Sequence, residues 1–176
     1  LIFFSAIFYS YWNIYFLPII IFSIFTNYIL AKKILNDPIN KKNYLFLSIF
    51  INILLLIIFK YLDFIILNIN LLFGSDLSYL NIPFPLAISF FTFQSIAFVI
   101  NCFDEEISNL NLTNYSLFIF FFPQLIAGPI VKYNNMVPQF NDDQKKIFNS
   151  RNFSIGFIIL LIGFIKKVYL ADSLSI

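Results

Sequence analysis

The chain has 176 residues, of which 60% are hydrophobic, 21% aromatic and 11% charged, with a formal net charge of +2. A soluble domain carries about 25% charged residues, so this composition excludes an ordinary water-facing surface and makes membrane lipid the first partner. The small net charge, with lysines in short clusters and not on one stripe, excludes a nucleic-acid partner, and the absence of histidine removes the commonest general base and metal ligand from these residues.

A helix needs about 20 apolar residues to cross the hydrocarbon. Leu1 to Tyr11 is apolar but short, and reads as the tail of a span. It has no initiator Met and no basic n-region, so it is not read as a signal peptide, and both ends read as those of a piece of a longer protein. Trp12-Asn13 breaks this run, and Ile14 to Ala31 is the next span, with Pro18 in its first turn. Lys32, Lys33, Lys41 and Lys42 flank a turn containing Asn36, Asp37 and Pro38, which the positive-inside rule puts in the cytoplasm. Asn43 to Phe59 is a span ended by Lys60, and Tyr61 to Phe73, with Asp63, Asn68 and Asn70, reads as a separate interfacial helix. After a loop from Gly74 to Pro85, Leu86 to Phe103 is a third span, ended by the solvated cluster Asp104-Glu105-Glu106. Tyr115 to Val131 is apolar but interrupted, Lys132 to Asn152 is polar, and Phe153 to Leu170 is a final span. No internal repeat or linker is visible, so residues 1–176 read as a single membrane domain. Cys102 cannot form an intrachain disulfide and reads as a small core hydrophobe.

Three places carry more than hydrophobicity. On Leu86 to Phe103, Ala87, Gln94 and Asn101 share one helical face and Ser89, Thr92 and Ser95 another. Small and polar residues on a membrane helix face neighbouring helices, either as packing contacts or, for Gln94 and Asn101, as the lining of a cavity. In Phe121 to Tyr133, Pro123 and Gly128-Pro129 interrupt the helix twice. Freed backbone groups cost several kcal/mol in hydrocarbon, so the segment is either a re-entrant or broken helix beside a cavity or a simple turn at the membrane surface. Gln124 lies between the two breaks as a hydrogen-bonding group. In Gly163 to Asp172, Lys166 and Lys167 either snorkel to the headgroups or serve a substrate, and Asp172, five positions beyond Lys167, misses the i,i+4 spacing of a helical ion pair.

Two of these stretches, with the one around Gly163, resemble a known family. Pro85-Leu86-Ala87-Ile88-Ser89-Phe90-Phe91-Thr92-Phe93-Gln94 resembles the P-L-G-I-S-F-F-T-F-Q signature of the membrane-bound O-acyltransferase (MBOAT) family, with Ala87 where the family has Gly. Phe122 to Tyr133 resembles its F-P-Q-L-x-A-G-P-I-x-[RH]-Y segment, with Lys132 at the basic position, and Pro138-Gln139 its following P-Q pair. Gly163 to Leu174 resembles G-L-F-K-K-V-x-I-A-D-N-L, and Asn27-Tyr28 and Phe59-Lys60-Tyr61 are similar to the early spans. Where the family ends its first motif helix I-D-V-Y-R, this chain has Ile100-Asn101-Cys102-Phe103-Asp104. The resemblance is strongest to the bacterial alginate O-acetylation branch, with the D-alanine transfer proteins of teichoic acid as cousins.

The resemblance implies an all-α, polytopic transmembrane bundle with a broken or re-entrant helix, multi-pass in the cell inner membrane. It implies an O-acyltransferase that passes an acetyl group from a thioester or other acetyl carrier, a co-substrate and not a bound cofactor, to hydroxyls of a cell-surface or exported polysaccharide, alongside periplasmic or extracellular partner proteins. No metal is implied. The family's membrane-embedded histidine matches no position here, so no catalytic residue is assigned within the chain. Gln94, Gln124, Gly128, Pro129, Lys132 and Tyr133 are the candidates to line or shape the cavity. The alternatives are a secondary transporter, which also uses broken helices, and a truncated, inactive remnant of the family.

Overall fold

The computed structural model describes residues 1–126, 128–129, 131–143 and 147–174, and every regular element among them is helical. The chain divides into two compact units, Leu1–Pro138 and Gln139–Ile176.

In the first unit, α1 (Ile2–Asn13) runs through a 3₁₀ turn (Ile14–Phe16) into α2 (Leu17–Asn36), giving 35 nearly continuous helical residues. The break falls at Asn13, whose extended backbone and side chain, accepting from the Tyr15 N–H at 3.0 Å, start the tighter turn. Pro18 sits in the first turn of α2, where the missing N–H has no helical partner to lose. The lysine loop follows. Asp37 accepts hydrogen bonds from the Asn40 side chain at 2.9 Å, from the backbone N–H groups of Ile39 and Asn40, and from the Tyr44 hydroxyl. These bonds, that from the Asn40 side chain first, hold its carboxyl below the usual aspartate range. The turn is therefore fixed at neutral pH and loosens only as the pH falls through that lowered value.

The next helix departs from the sequence expectation. α3 (Lys41–Leu56) does not stop at Lys60: it passes through a π-helical segment (Ile57–Tyr61) into α4 (Leu62–Phe73), one helix of 33 residues. A π turn absorbs an extra residue without breaking the backbone ladder, so a polar residue that looks like a terminus in the sequence is an interior one. Gly74, in the left-handed region at φ +63, ends this helix.

α5 (Ile88–Phe103) is shorter than the expected span, at 16 residues or about 24 Å. It is packed between α2 and α3 on one side and α6 (Leu112–Phe120) on the other, so Ile88, Phe91, Phe98 and Val99 lie in the core. Its start is set by Ala87, in the left-handed region at φ +58. This backbone angle is one that glycine, the residue of the family signature, adopts without strain. After α6, Phe121 leaves helical geometry and a single turn, α7 (Phe122–Leu125), follows. The chain then turns back to α8 (Tyr133–Asn141), where Asn134 Nδ2 donates to the Glu106 carbonyl at 3.1 Å, near where this excursion began. The described residues between Leu112 and Asn134 thus leave helical geometry at Phe121 and return to the Glu106 carbonyl at Asn134.

In the second unit, α9 (Ser150–Ile165) runs through a π segment (Lys166–Ala171) into α10 (Asp172–Leu174). Here the spacing argument fails. The Asp172 N–H bonds the Lys167 carbonyl, the wider turn brings positions five apart onto one face, and Lys167 Nζ lies 3.0 Å from Asp172 Oδ2.

Three helices, Ile2–Asn36, Lys41–Phe73 and Ser150–Leu174, are long and apolar enough to cross a membrane. Exposed Phe22, Phe25, Phe46 and Phe50 on the outer sides of α2 and α3 suit contact with lipid.

Candidate functional site

Two ends of the α2–α3–α5 bundle carry cavities, and α5 joins them. At the lysine-loop end a cavity of about 490 Å³ is lined by residues that include Ile34, Asn36, Lys41, Cys102, Phe103 and Ser108. Lys41 bridges its mouth: its Nζ lies 3.1 Å from Glu105 Oε1 and 4.9 Å from the centre of the Phe103 ring. The acidic cluster is therefore partly engaged, with Glu105 held at φ +62.

Lys60 lies about 28 Å along the helix from Lys41, at about 1.5 Å per residue, close to the thickness of the hydrocarbon core of about 30 Å. Its Nζ donates to Ser89 Oγ at 3.2 Å and sits 5.5 Å from the Tyr61 ring. Two cavities meet at this lysine. One, about 240 Å³, is lined by Lys60, Pro85, Ala87, Ser89 and Phe90 from the first motif and its approach, and by Ile126 from the second. The other, about 350 Å³, is lined by Lys60, Asp63 and the loop residues Asn81, Pro83 and Phe84. Asp63 builds that loop: its two oxygens accept from the Leu80 and Asn81 N–H groups at 2.9 and 3.0 Å, holding Asn81 at φ +49. Tyr9 of α1 donates its hydroxyl to the Leu86 carbonyl at 3.2 Å and fixes the approach to α5.

Between these ends the bundle is polar inside. Thr92, Gln94, Ser95 and Asn101 of α5 are all buried. Ser95 accepts from the Tyr115 hydroxyl at 3.1 Å, and Phe98 stacks on Tyr115 with ring centres 4.0 Å apart. Thr92 Oγ1 and Gln94 Oε1 on α5, Gln124 Nε2 on α7 and Ser5 Oγ on α1 are buried without a hydrogen-bond partner among the described residues. In contrast, the α2–α3 interface is satisfied. Asn52 Nδ2 donates to Asn27 Oδ1 at 2.7 Å, Ser48 Oγ donates to the same oxygen at 2.7 Å, and Asn27 Nδ2 donates to the Ser23 carbonyl at 2.8 Å.

The structure treats the six candidate residues differently. Gln94 and Gln124 are buried, each with an unpartnered amide atom. Gly128 donates its N–H to the Gln124 carbonyl at 3.0 Å, and a Cβ there would stand 2.5 Å from Gln124 Cα, so only glycine fits. Pro129 and Lys132 are exposed. Tyr133 is buried, with its ring centre 5.0 Å from Phe98 and 5.5 Å from Phe118. The geometry thus joins Gln124 with Gly128 and puts Tyr133 in the aromatic cluster around α5. Sequence reasoning read Ser89 as a packing residue and left Lys60 and Asp63 outside the site. The signal for Lys60 was available: it is a cation with apolar sequence on both sides, and an ionisable residue inside such a helix is a functional candidate by default.

A helical membrane protein with an interrupted helix after Phe120 and a cavity at each end of one motif helix is the class these features define. The chain belongs to the membrane-bound O-acyltransferase family, which it matches over residues 86–176. It is 38% identical over 196 residues to the peptidoglycan O-acetyltransferase of Helicobacter pylori, covering 96% of this chain and 37% of that protein. It is 31% identical over 180 residues to probable alginate O-acetylases of Pseudomonas syringae pv. tomato and Pseudomonas putida, covering 98% of this chain and 34% and 36% of theirs. The chain spans about a third of the length of these curated relatives. No solved structure matches it.

Proposed function

We propose that these residues form the scaffold and part of the reaction chamber of a multi-pass inner-membrane O-acetyltransferase that modifies hydroxyls of an exported or cell-wall polysaccharide. The observation that carries this reading is the pair of cavities at opposite ends of α5. Family membership and the activities of the relatives support it. By the positive-inside rule the Lys41 end faces the cytoplasm. The acyl donor, a thioester or acetyl carrier, approaches there, and the acceptor approaches the Lys60 end. The role of this chain is positional. Short, core-buried α5 keeps the two chambers about 21 Å apart, from Ser89 to Phe103, while the turn after Phe121 packs on α1 and brings Ile126 to the cavity beside Ser89. The hydroxyl needs a proton acceptor, and with no histidine here that group is assigned to the family histidine outside these residues.

The test is O-acetyl content of the purified cell-wall and exported polysaccharides from cells with the gene deleted and with the full-length protein restored. The reading expects loss on deletion and recovery on restoration. Unchanged O-acetyl content in every polymer overturns it.

A further inference from the structure

We infer that Lys42 and the apolar cleft below it on α3 hold one anionic phospholipid of the cytoplasmic leaflet, an inference that stands apart from the acetyl-transfer reading. Four observations lead there. First, Asn43, Phe46, Leu47 and Phe50 line a cleft of about 440 Å³, within the range of about 300–1,000 Å³ usual for small-molecule sites. Their spacing of i, i+3, i+4 and i+7 makes one helical stripe, about 10 Å long. Second, the stripe faces away from the bundle: Ser48 and Asn52, which bond Asn27 of α2, lie on the opposite side of α3, and the rings of Phe46 and Phe50 are exposed. Third, the end of the cleft nearest the lysine loop is polar. Asn43 is exposed there, and Lys42, also exposed, stands one turn before Phe46. Fourth, the loop does not neutralise this charge from within. Both oxygens of Asp37 are taken up by Ile39, Asn40 and Tyr44, Glu105 is paired with Lys41, and Lys33 lies 5.4 Å from the neutral Tyr44 ring. Lys42 has no ion-pair partner among the described residues.

A cation at the polar end, an amide beside it and apolar walls below match a glycerophospholipid in shape and chemistry. The phosphate meets Lys42, the Asn43 amide serves the glycerol level, and one acyl chain lies between Phe46 and Phe50. The cytoplasmic leaflet, where the positive-inside rule puts this loop, is the one that carries anionic head groups. A second copy of the chain seated on the same face, about a twofold axis normal to the membrane, would set Lys42 against Lys42. Snorkelling to bulk lipid would serve every exposed lysine of the loop equally, whereas the cleft singles out Lys42.

The experiment titrates the full-length protein in mild detergent with phosphatidylglycerol and with phosphatidylcholine of the same acyl chains, counting bound lipids by native mass spectrometry. Wild type is expected to hold one phosphatidylglycerol at least tenfold more tightly than phosphatidylcholine. Lys42→Gln should weaken phosphatidylglycerol about tenfold and leave phosphatidylcholine unchanged, and Lys42→Arg should restore most of the preference. Phe46→Ala combined with Phe50→Ala should weaken both lipids at least fivefold. Lys32→Gln, which removes the same charge from the same loop, should change either affinity less than twofold. Equal binding of the two lipids by wild type overturns the site. Equal losses from Lys42→Gln and Lys32→Gln also overturn it, because the attraction is then diffuse surface charge. Displacement of phosphatidylglycerol by an equal concentration of inorganic phosphate would show an anion site with no use for the cleft, and the inference falls. It falls too if the double phenylalanine variant leaves both affinities unchanged and turns a dimer into a monomer, since the face is then a contact between copies. Acetyl transfer is not the readout, so each of these failures leaves the proposed function standing.

Discussion

The α2–α3 interface and the α5–α7 region both bury amide side chains in an apolar bundle, and they treat them in opposite ways. Asn27 and Asn52 face each other across α2 and α3, and the Asn27 oxygen accepts from both Asn52 and Ser48. Gln94 and Gln124 are also buried, yet among the described residues Gln94 keeps an acceptor and Gln124 a donor without a partner. An unsatisfied buried polar group costs about 1–3 kcal/mol. Satisfied amides hold helices together at roughly 0.6 kcal/mol and at most about 1.7 kcal/mol each in a membrane; each unsatisfied one asks for a separate reason to be there. The first pair is structural, and we propose the second as part of the site.

The sharpest way to break this contrast is at Gly128. Gly128→Ala drives a Cβ into the Gln124 backbone, so the turn carrying Gln124 must move. O-acetyl transfer by the full-length protein should fall more than 100-fold while its abundance in the membrane persists. Unaltered activity would remove Gln124 from the site. Next come the glutamines themselves. Gln94→Leu and Gln124→Leu should each lower kcat/KM at least tenfold while thermal stability in detergent holds or rises, because each removes an unpaired polar group. A loss of stability matching the loss of activity would make them structural. At the satisfied interface the signs reverse: Asn52→Leu removes one of the two donors to the Asn27 oxygen and leaves Ser48 on it, and should cost about 1 kcal/mol, with activity per folded molecule unchanged. Ala87→Gly should raise stability by about 1 kcal/mol through relief of the left-handed backbone, read as a small rise in Tm. The smallest effect is expected from Lys41→Ala, less than about 1 kcal/mol, since Glu105 is 78% exposed.

Hydrophobic run length made the helices legible, and the two proline breaks made the interruption at Phe121–Pro129 legible. What escaped followed from helices that are not uniformly α. Lys60 looked like a terminus and Asp172 looked out of register with Lys167, because linear reading assumes 3.6 residues per turn, whereas Lys60 lies in one π segment and Lys167 in another that ends just before Asp172. The pairing of Asn27 with Asn52 was likewise invisible, since it depends on two helices meeting at one level. Gln94 and Gln124 were marked by their type within apolar sequence, but only coordinates separate an amide with a partner from one without.

The claim on which the account depends is that α5 connects chambers open to opposite sides of the membrane. Single cysteines at Ser89 and Ser108, in a cysteine-free full-length protein that includes Cys102→Ser, can be probed in intact cells and in inverted vesicles with a membrane-impermeant maleimide. The account requires Ser89→Cys to label from outside only and Ser108→Cys from the cytoplasmic side only. Labelling of both from the same side would contradict it.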